Sequence, residues 1–146
     1  MSFPGLYSEE PEIFESPLKT AYRNKMEYTF ADMYKDSPIM LGMHKKNRFY
    51  EVVDTKECNL VHRDFEIIRN GIIDLVREKN LPFVKKRNHE GLLRHLIIRY
   101  ALTTGEIMVN IVTTTQSEFD KKSFVDMLLG MKFEWKIKSI VHTEND

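Results

Sequence analysis

Residues 91–115 read GLLRHLIIRYALTTGEIMVNIVTTT, and they decide the fold class of this chain. Two runs rich in leucine, isoleucine and valine flank a Thr-Thr-Gly sequence, and Gly105 can take the positive φ that a tight turn needs. Strands are enriched in such β-branched residues. The stretch therefore predicts a long β-hairpin, and hairpin connections imply a largely antiparallel sheet.

The regions on either side of this hairpin predict further strands. Apolar residues alternate with polar ones from Tyr22 to Phe30, so Tyr22, Met26, Tyr28 and Phe30 are expected on one buried face. IMLGMH (39–44) and RFYEVV (48–53) predict two short strands around the polar turn KKN, and FEWKIKSIVHT (133–143) predicts a final strand.

Two segments have helical spacing. In residues 64–79 an apolar stripe recurs every three to four positions, with Asp64 expected to cap its start. Residues from about Phe119 to Lys132 predict a second helix, capped by Ser117. The predicted fold class is α+β, with two layers: a mostly antiparallel sheet and two helices packed on one face. Residues 1–18 predict an extended N-terminal arm, and 19–146 the domain.

The composition excludes a strong net electrostatic charge on the chain. Lys plus Arg equals Asp plus Glu, at 22 each, so net charge draws the chain neither to nucleic acid nor to a membrane. Locally, residues 19–48 hold seven basic against three acidic side chains, and residues 85–99 hold five against one. A single cysteine fits a reducing compartment, and neither a signal sequence nor a long apolar run is present. We expect a cytoplasmic protein that does not enter a membrane.

Motifs for nucleotide cofactors are missing from the sequence. It contains no G-x-G-x-x-G and no G-x-x-x-x-G-K-[ST], and its five histidines lack zinc-site spacing. His89 and His95 stand among three arginines, and a basic hairpin of this kind could contact phosphates. In a regular strand Arg94 would face away from His95 and Arg99.

From the residues alone, Cys58 has three possible roles. It can be a small buried hydrophobe, or a nucleophile if a base activates it. A third role, as a metal or cluster ligand, needs partners, and the chain has no other thiol. Cys58 by itself cannot hold a cluster.

Five phrases in order carry a family resemblance: YRNKMEYTF (22–30), LGMHKKNRFYEVVDTKEC (41–58), HEGLLRHLIIR (89–99), TGEIMVNIVTT (104–114) and SIVHTEND (139–146). Together they resemble the central domain of RNA (uracil-5-)-methyltransferases of the RumA/TrmA type. The resemblance runs from about Ser16 to Asp146. It implies S-adenosylmethionine-dependent methylation of carbon 5 of a uridine in folded RNA, and ribosomal RNA, specifically 23S rRNA, is the expected substrate.

The resemblance also implies what this chain lacks. Enzymes of this type have an N-terminal RNA-binding barrel, this central domain, and a C-terminal Rossmann-like domain that holds the cofactor and the catalytic groups. We therefore expect a fragment, inactive alone, that contributes RNA binding and structural support, with the missing domains as its partners. Cys58 matches the position of the last of four ligands to a 4Fe-4S cluster in cluster-bearing members, which makes it an orphan ligand here.

The resemblance places Arg23 against substrate RNA. Further cations are expected to extend the phosphate-contacting surface: Lys25, Lys45, Lys46 and Arg48, with Arg94 and Arg99 from the hairpin. Two other readings stay open at this point. One is a freestanding RNA- or protein-binding module without catalytic activity, and the other is a small enzyme that uses Cys58 and a histidine.

Overall fold

The computed structural model describes residues 12–34, 37–45 and 48–146, with the backbone only for 48–51. Six strands and two helices follow one another along the chain, as β1 (Lys25–Ala31), β2 (Met40–Lys45), β3 (Arg48–Asp54), α1 (Arg63–Glu78), β4 (Leu93–Ala101), β5 (Glu106–Thr113), α2 (Lys121–Gly130) and β6 (Lys136–Glu144). The strands form one sheet in the order β3-β2-β1-β4-β5-β6. The α+β prediction is confirmed.

The β4–β5 hairpin is also confirmed, and it forms the middle of the sheet together with β1. All neighbouring strands are antiparallel except β5 and β6, which are parallel. The reason is the connection between them: α2 carries the chain back to the start of β5, and such a helical crossover delivers the next strand in the same direction.

One face of the sheet carries the core. Alternate residues of β1, β4 and β5 point into it, and these include Met26, Tyr28, Phe30, Leu96, Ile98, Val109 and Ile111. The helices add Phe65, Ile68, Ile72, Val76, Phe124 and Leu128 to the same cluster. Both helices therefore cover one face, as predicted. We call the opposite face, which includes Lys25, Glu27 and Arg99, the open face.

The first strand is shorter than its pattern predicts. It begins at Lys25, and Tyr22 is half exposed rather than buried. The preceding segment binds a different part of the chain, since the amides of Ala21 and Arg23 donate to the carbonyls of Asn59 and Leu60. Ala21 has a φ of 52°, which breaks the extended conformation and ends the alternation.

Both helix caps differ from the prediction. His62 caps α1 because its Nδ1 accepts from the Asp64 amide, while Asp64 lies buried in the first turn. Asp120, not Ser117, caps α2, and its carboxylate accepts from the Ser123 amide at 3.0 Å. Ser117 precedes the helix by too many residues because Phe119 turns into the core first.

The predicted N-terminal arm is only partly described. Residues 12–18 are exposed and belong to no strand or helix, and residues 1–11 lie outside the described residues. Within the described ranges, neither helix is long and apolar enough to cross a membrane.

Candidate functional site

A basic cleft opens where the end of β1 meets the start of β4. Its volume is about 520 Å³, and the loop of residues 83–89 forms one wall. Four cationic side chains line it: Lys85, Lys86, Arg87 and Arg94. Three imidazoles join them: His44, His89 and His95. The acid among the lining residues is Asp32, and the apolar lining comes from Phe30, Ala31, Phe83 and Val84. Such a surface suits an anionic ligand.

Gly91 allows the loop of residues 83–89 to lie against β4. Its φ is +136°, and a Cβ at this position would be 2.0 Å from the carbonyl oxygen of Phe83. Only glycine permits this approach. The loop is then closed by its own backbone, because the Lys85 amide donates to the Glu90 carbonyl and the His89 amide to the Lys85 carbonyl.

Two side chains that follow β5 hold the same loop from outside. Gln116 accepts from the Gly91 amide at 3.0 Å through Oε1 and donates to the His89 carbonyl at 2.7 Å through Nε2. The buried hydroxyl of Thr114 donates to the Gly91 carbonyl at 2.6 Å. The basic loop is therefore fixed in place before any ligand arrives.

A β-bulge brings Arg94 and His95 to the same cleft. The β4–β5 register shifts between Leu93 and His95, so that Arg94 has no partner across the ladder. The expectation for a regular strand, that Arg94 faces away from His95, does not apply at this bulge, because both residues line the cleft. Arg94 Nη1 also donates to the Asn145 carbonyl at 2.6 Å, which anchors the guanidinium beside the end of β6.

Two of these imidazoles, His95 and His44, have a pKa below its ordinary value. His95 is hydrogen-bonded to the Thr29 hydroxyl at 3.2 Å. Burial lowers the pKa of His95, and Arg94, His44 and Lys86 lower it further, against the opposing effect of Glu27. Partial burial and then Lys86 lower the pKa of His44. A neutral imidazole can both donate and accept, so these rings offer polar recognition beside the cationic side chains.

Lys25 and Arg99 lie directly opposite each other in the β1–β4 pair, and both are exposed. Lys25 forms an ion pair with Glu27 at 3.6 Å on the open face. Thr29, which lies beside the cleft, is four positions along β1 from Lys25, so the two residues are roughly 13 Å apart. Arg23 does not share this face: it precedes β1, and its Nη1 lies 3.8 Å from the sulfur of the buried Met26.

The remaining predicted cations are at the β2–β3 turn. Lys45 ends β2 and pairs in register with Arg48. Lys46 and the side chain of Arg48 lie outside the described part of the structure. Of the predicted cations that can be placed, the cleft takes in Arg94 alone, and Lys25 and Arg99 form a second, separate cationic site.

Sequence reasoning missed the wall of the cleft. The run Lys85-Lys86-Arg87 stands out within the basic segment 85–99, and this was the signal that could have identified it. His44 offered no such signal, because its place depends on how β2 and β4 flank β1.

Neither family cofactor fits the residues that the structure describes. An iron–sulfur cluster takes four thiolates, the sequence has one cysteine, and no group of three or more His, Cys, Asp or Glu side chains in the described ranges could hold a metal ion. Cys58 lies in a turn, with its amide donating to the Thr55 carbonyl. For S-adenosylmethionine, the connection from parallel strand β5 to α2 (114–120) contains no glycine and so no glycine-rich cofactor turn.

Several sequenced proteins are similar to this chain, although no family model matches it. A Clostridium acetobutylicum protein described as an uncharacterized RNA methyltransferase is 43% identical over 134 residues, 92% of this chain. Proteins with the same description are 42% identical over 92% of the chain in Caldanaerobacter subterraneus subsp. tengcongensis, and 34% identical over 98% in Leptospira interrogans.

The fold has a solved counterpart. The tRNA (uracil-54, C5)-methyltransferase of Pyrococcus abyssi, in complex with S-adenosyl-L-homocysteine, superposes on 92% of this chain with a TM-score of 0.69 at 23% identity. The matched region is 29% of that chain, and this chain spans 29%, 30% and 35% of the three relatives above. By sequence this chain is therefore similar to proteins described as RNA methyltransferases, it has the fold of the matched region of one solved example, and it corresponds to about a third of their length.

Proposed function

We propose that this chain is the RNA-binding and supporting segment of an S-adenosylmethionine-dependent RNA (uracil-5-)-methyltransferase that acts on 23S rRNA. The observation that carries the proposal is the basic cleft, which gathers four cationic side chains in a chain of zero net charge whose relatives are described as RNA methyltransferases. A site of this charge suits the phosphates of an RNA backbone.

The chemistry is assigned to other parts of the protein. No described side chain is hydrogen-bonded to the Cys58 thiol, so the thiol lacks the positioned base that a nucleophile needs. The glycine-free connection from β5 to α2 supports placing the methyl donor elsewhere as well. In the full-length protein Cys58 could act as a cluster ligand only if three further thiolates came from outside this sequence.

Two cationic sites divide the RNA contacts in this proposal. The cleft takes phosphates at the start of β4, and Lys25 with Arg99 takes them at the other end of the same two strands. Each neutralised phosphate releases counterions, which makes the association steeply salt-dependent.

RNA binding by the 146-residue chain tests this proposal. A labelled stem-loop from 23S rRNA should bind in the micromolar range, and affinity should fall steeply between 50 and 200 mM salt. Lys25→Ala with Arg99→Ala should weaken binding and reduce the salt slope. The matched control is Lys122→Ala with Lys132→Ala, which removes two exposed cations from the helical side. Salt-independent binding, or equal loss in both double variants, would contradict the RNA-binding role.

Separate experiments test which RNA is the substrate and whether this chain takes part in the chemistry. The structural counterpart is a tRNA methyltransferase, so competition between a 23S rRNA fragment and tRNA decides which RNA the segment prefers. Preference for tRNA would contradict the ribosomal substrate. Methyl transfer from S-adenosylmethionine to RNA by this chain alone would contradict its supporting role.

A further inference from the structure

We propose that the basic cleft receives a single unpaired nucleotide of the RNA, with its base against Phe83 and its phosphates on Lys85, Arg87 and Arg94. This inference rests on the proposed function and deepens it, because it names what part of an RNA enters the cleft. Recognition of a backbone alone needs only a charged surface, whereas the structure has a concave site of about 520 Å³. That volume lies within the roughly 300–1,000 Å³ typical of small-ligand sites.

The lining of the cleft has an apolar part beside a cationic part, just as a nucleotide has a base beside a phosphate. Phe83 and Val84 are half-buried apolar residues, and the cationic run begins at the next residue, Lys85. One continuous stretch of loop therefore offers an aromatic ring and then a cluster of positive charge. Unstacked RNA bases bind on aromatic rings and arginine planes, while their phosphates bind cations. A paired base inside a duplex could not enter such a site.

Polar groups for a base edge are also present. His95, held by the Thr29 hydroxyl, and His44 are neutral near pH 7, and Asp32 adds a carboxylate. The imidazoles can donate and accept, and the carboxylate accepts, which a purely electrostatic phosphate site would not require. The charged groups near His95 are Arg94, Lys86 and Glu27.

The loop is preorganised for this role. Gln116 and Thr114 fix the backbone of residues 89–91 by three hydrogen bonds of 2.6–3.0 Å. A ligand that enters the cleft does not have to order the wall that holds it, so less of its binding free energy is lost.

Three RNAs with one sequence separate a base site from a charged surface. The first is a duplex with a single bulged uridine, the second has an abasic residue at the bulge, and the third is fully paired. By fluorescence anisotropy with the 146-residue chain, the bulged RNA should bind about 10-fold tighter than the other two. Uridine monophosphate should compete weakly, which shows whether the nucleotide alone suffices.

Two variants locate the preference in the cleft. Arg87→Ala removes an exposed cation from the wall, and Phe83→Ala removes the ring; thermal melting checks that each variant stays folded. Both should abolish the preference for the bulged RNA, whereas the control Arg63→Ala, an exposed arginine on α1, should retain it. Should Phe83→Ala unfold the chain, Arg87→Ala and the abasic RNA still decide the question.

The possible results distinguish the nucleotide site from the more general RNA-binding role on which it rests. Equal binding of bulged, abasic and paired RNA would overturn the nucleotide site and leave the RNA-binding role intact. No binding of any RNA would overturn both. A bulge preference that survives Arg87→Ala and Phe83→Ala would place the site elsewhere and overturn the inference for this cleft.

Discussion

Gly91 lies against the backbone of Phe83 so closely that no side chain fits between them: a Cβ on residue 91 would be 2.0 Å from the Phe83 carbonyl oxygen and 2.7 Å from the Val84 nitrogen. The position also has a φ of +136°, where any residue other than glycine is strained. This contact sets the wall of the basic cleft.

Gly91→Ala should therefore displace the loop and lower the free energy of unfolding by about 2–4 kcal/mol. RNA binding by the cleft should fall with it. Urea denaturation measures the first effect and anisotropy the second. Gly130→Ala is the matched control, since a Cβ there meets nothing within 4 Å and alanine favours the end of α2. Equal stability of Gly91→Ala and the wild type would refute the role of this close approach.

Asp64 joins the start of α1 to the segment before β6. Its buried carboxylate accepts from the Trp135 amide at 2.7 Å and from the Glu134 amide at 3.1 Å. Asp64→Asn keeps one acceptor but turns an amide donor toward the second N–H, so stability should fall by about 2 kcal/mol. The urea midpoint measures this, with the exposed Asp74→Asn on the same helix as control. An unchanged midpoint would show that the two amides find other acceptors.

Arg69 links α1 to the β2–β3 side of the sheet. This buried guanidinium donates to the Leu41 carbonyl through Nε at 2.6 Å and is paired with Asp54 through Nη2. Arg69→Met leaves both acceptors without their donor, and because Asp54 is half exposed we expect a loss of about 2–3 kcal/mol. Arg63→Met, at an exposed position of α1, should change stability by less than about 0.5 kcal/mol. Similar urea midpoints for the two variants would rule out a structural role for Arg69.

His95 should make stability depend on pH below neutrality. Its pKa in the folded protein is lowered, first by burial, so below about pH 6.5 the unfolded chain takes up a proton that the folded chain does not. The free energy of unfolding should then fall as pH drops from 6.5 toward the folded pKa. His95→Gln should reduce that slope, as seen in melting temperatures between pH 5 and 7. Some slope should remain, since the pKa of His44 and of His142 is also lowered. If His95→Gln kept the full wild-type dependence of stability on pH, that dependence would come from groups other than His95.

Periodicity was sufficient to predict the strands, the helices and the helical face of the sheet, because it reports which side of each element meets the core. Periodicity did not predict contacts between segments that are distant in the sequence. Tyr22 is exposed because the amides around it bind residues 59 and 60, and Arg94 reaches the cleft through a bulge that the alternation of β4 does not reveal.

The cleft could be predicted only in part for the same reason. Its cations are visible as a basic run, but Thr29 and His95, 66 residues apart, meet only once β1 pairs with β4. The family resemblance drew attention to the first strand and its turn, whereas in the structure the loop before β4 supplies three of the four cationic side chains that line the cleft.

The pairing of β1 with β4 also constrains how the chain is made. Lys25 meets Arg99 across the sheet, so β1 waits for about 74 further residues to be added, roughly 4–15 s at ordinary rates of translation. During that time β1, β2 and β3 can form a meander in which β1 is still an unpaired edge, and such an edge can recruit other chains. The charges of Lys25 and Glu27 lie along it and oppose such pairing. The central pairing of the finished sheet thus forms only after β4 has been synthesised, and the β1 edge stays open to other chains until then.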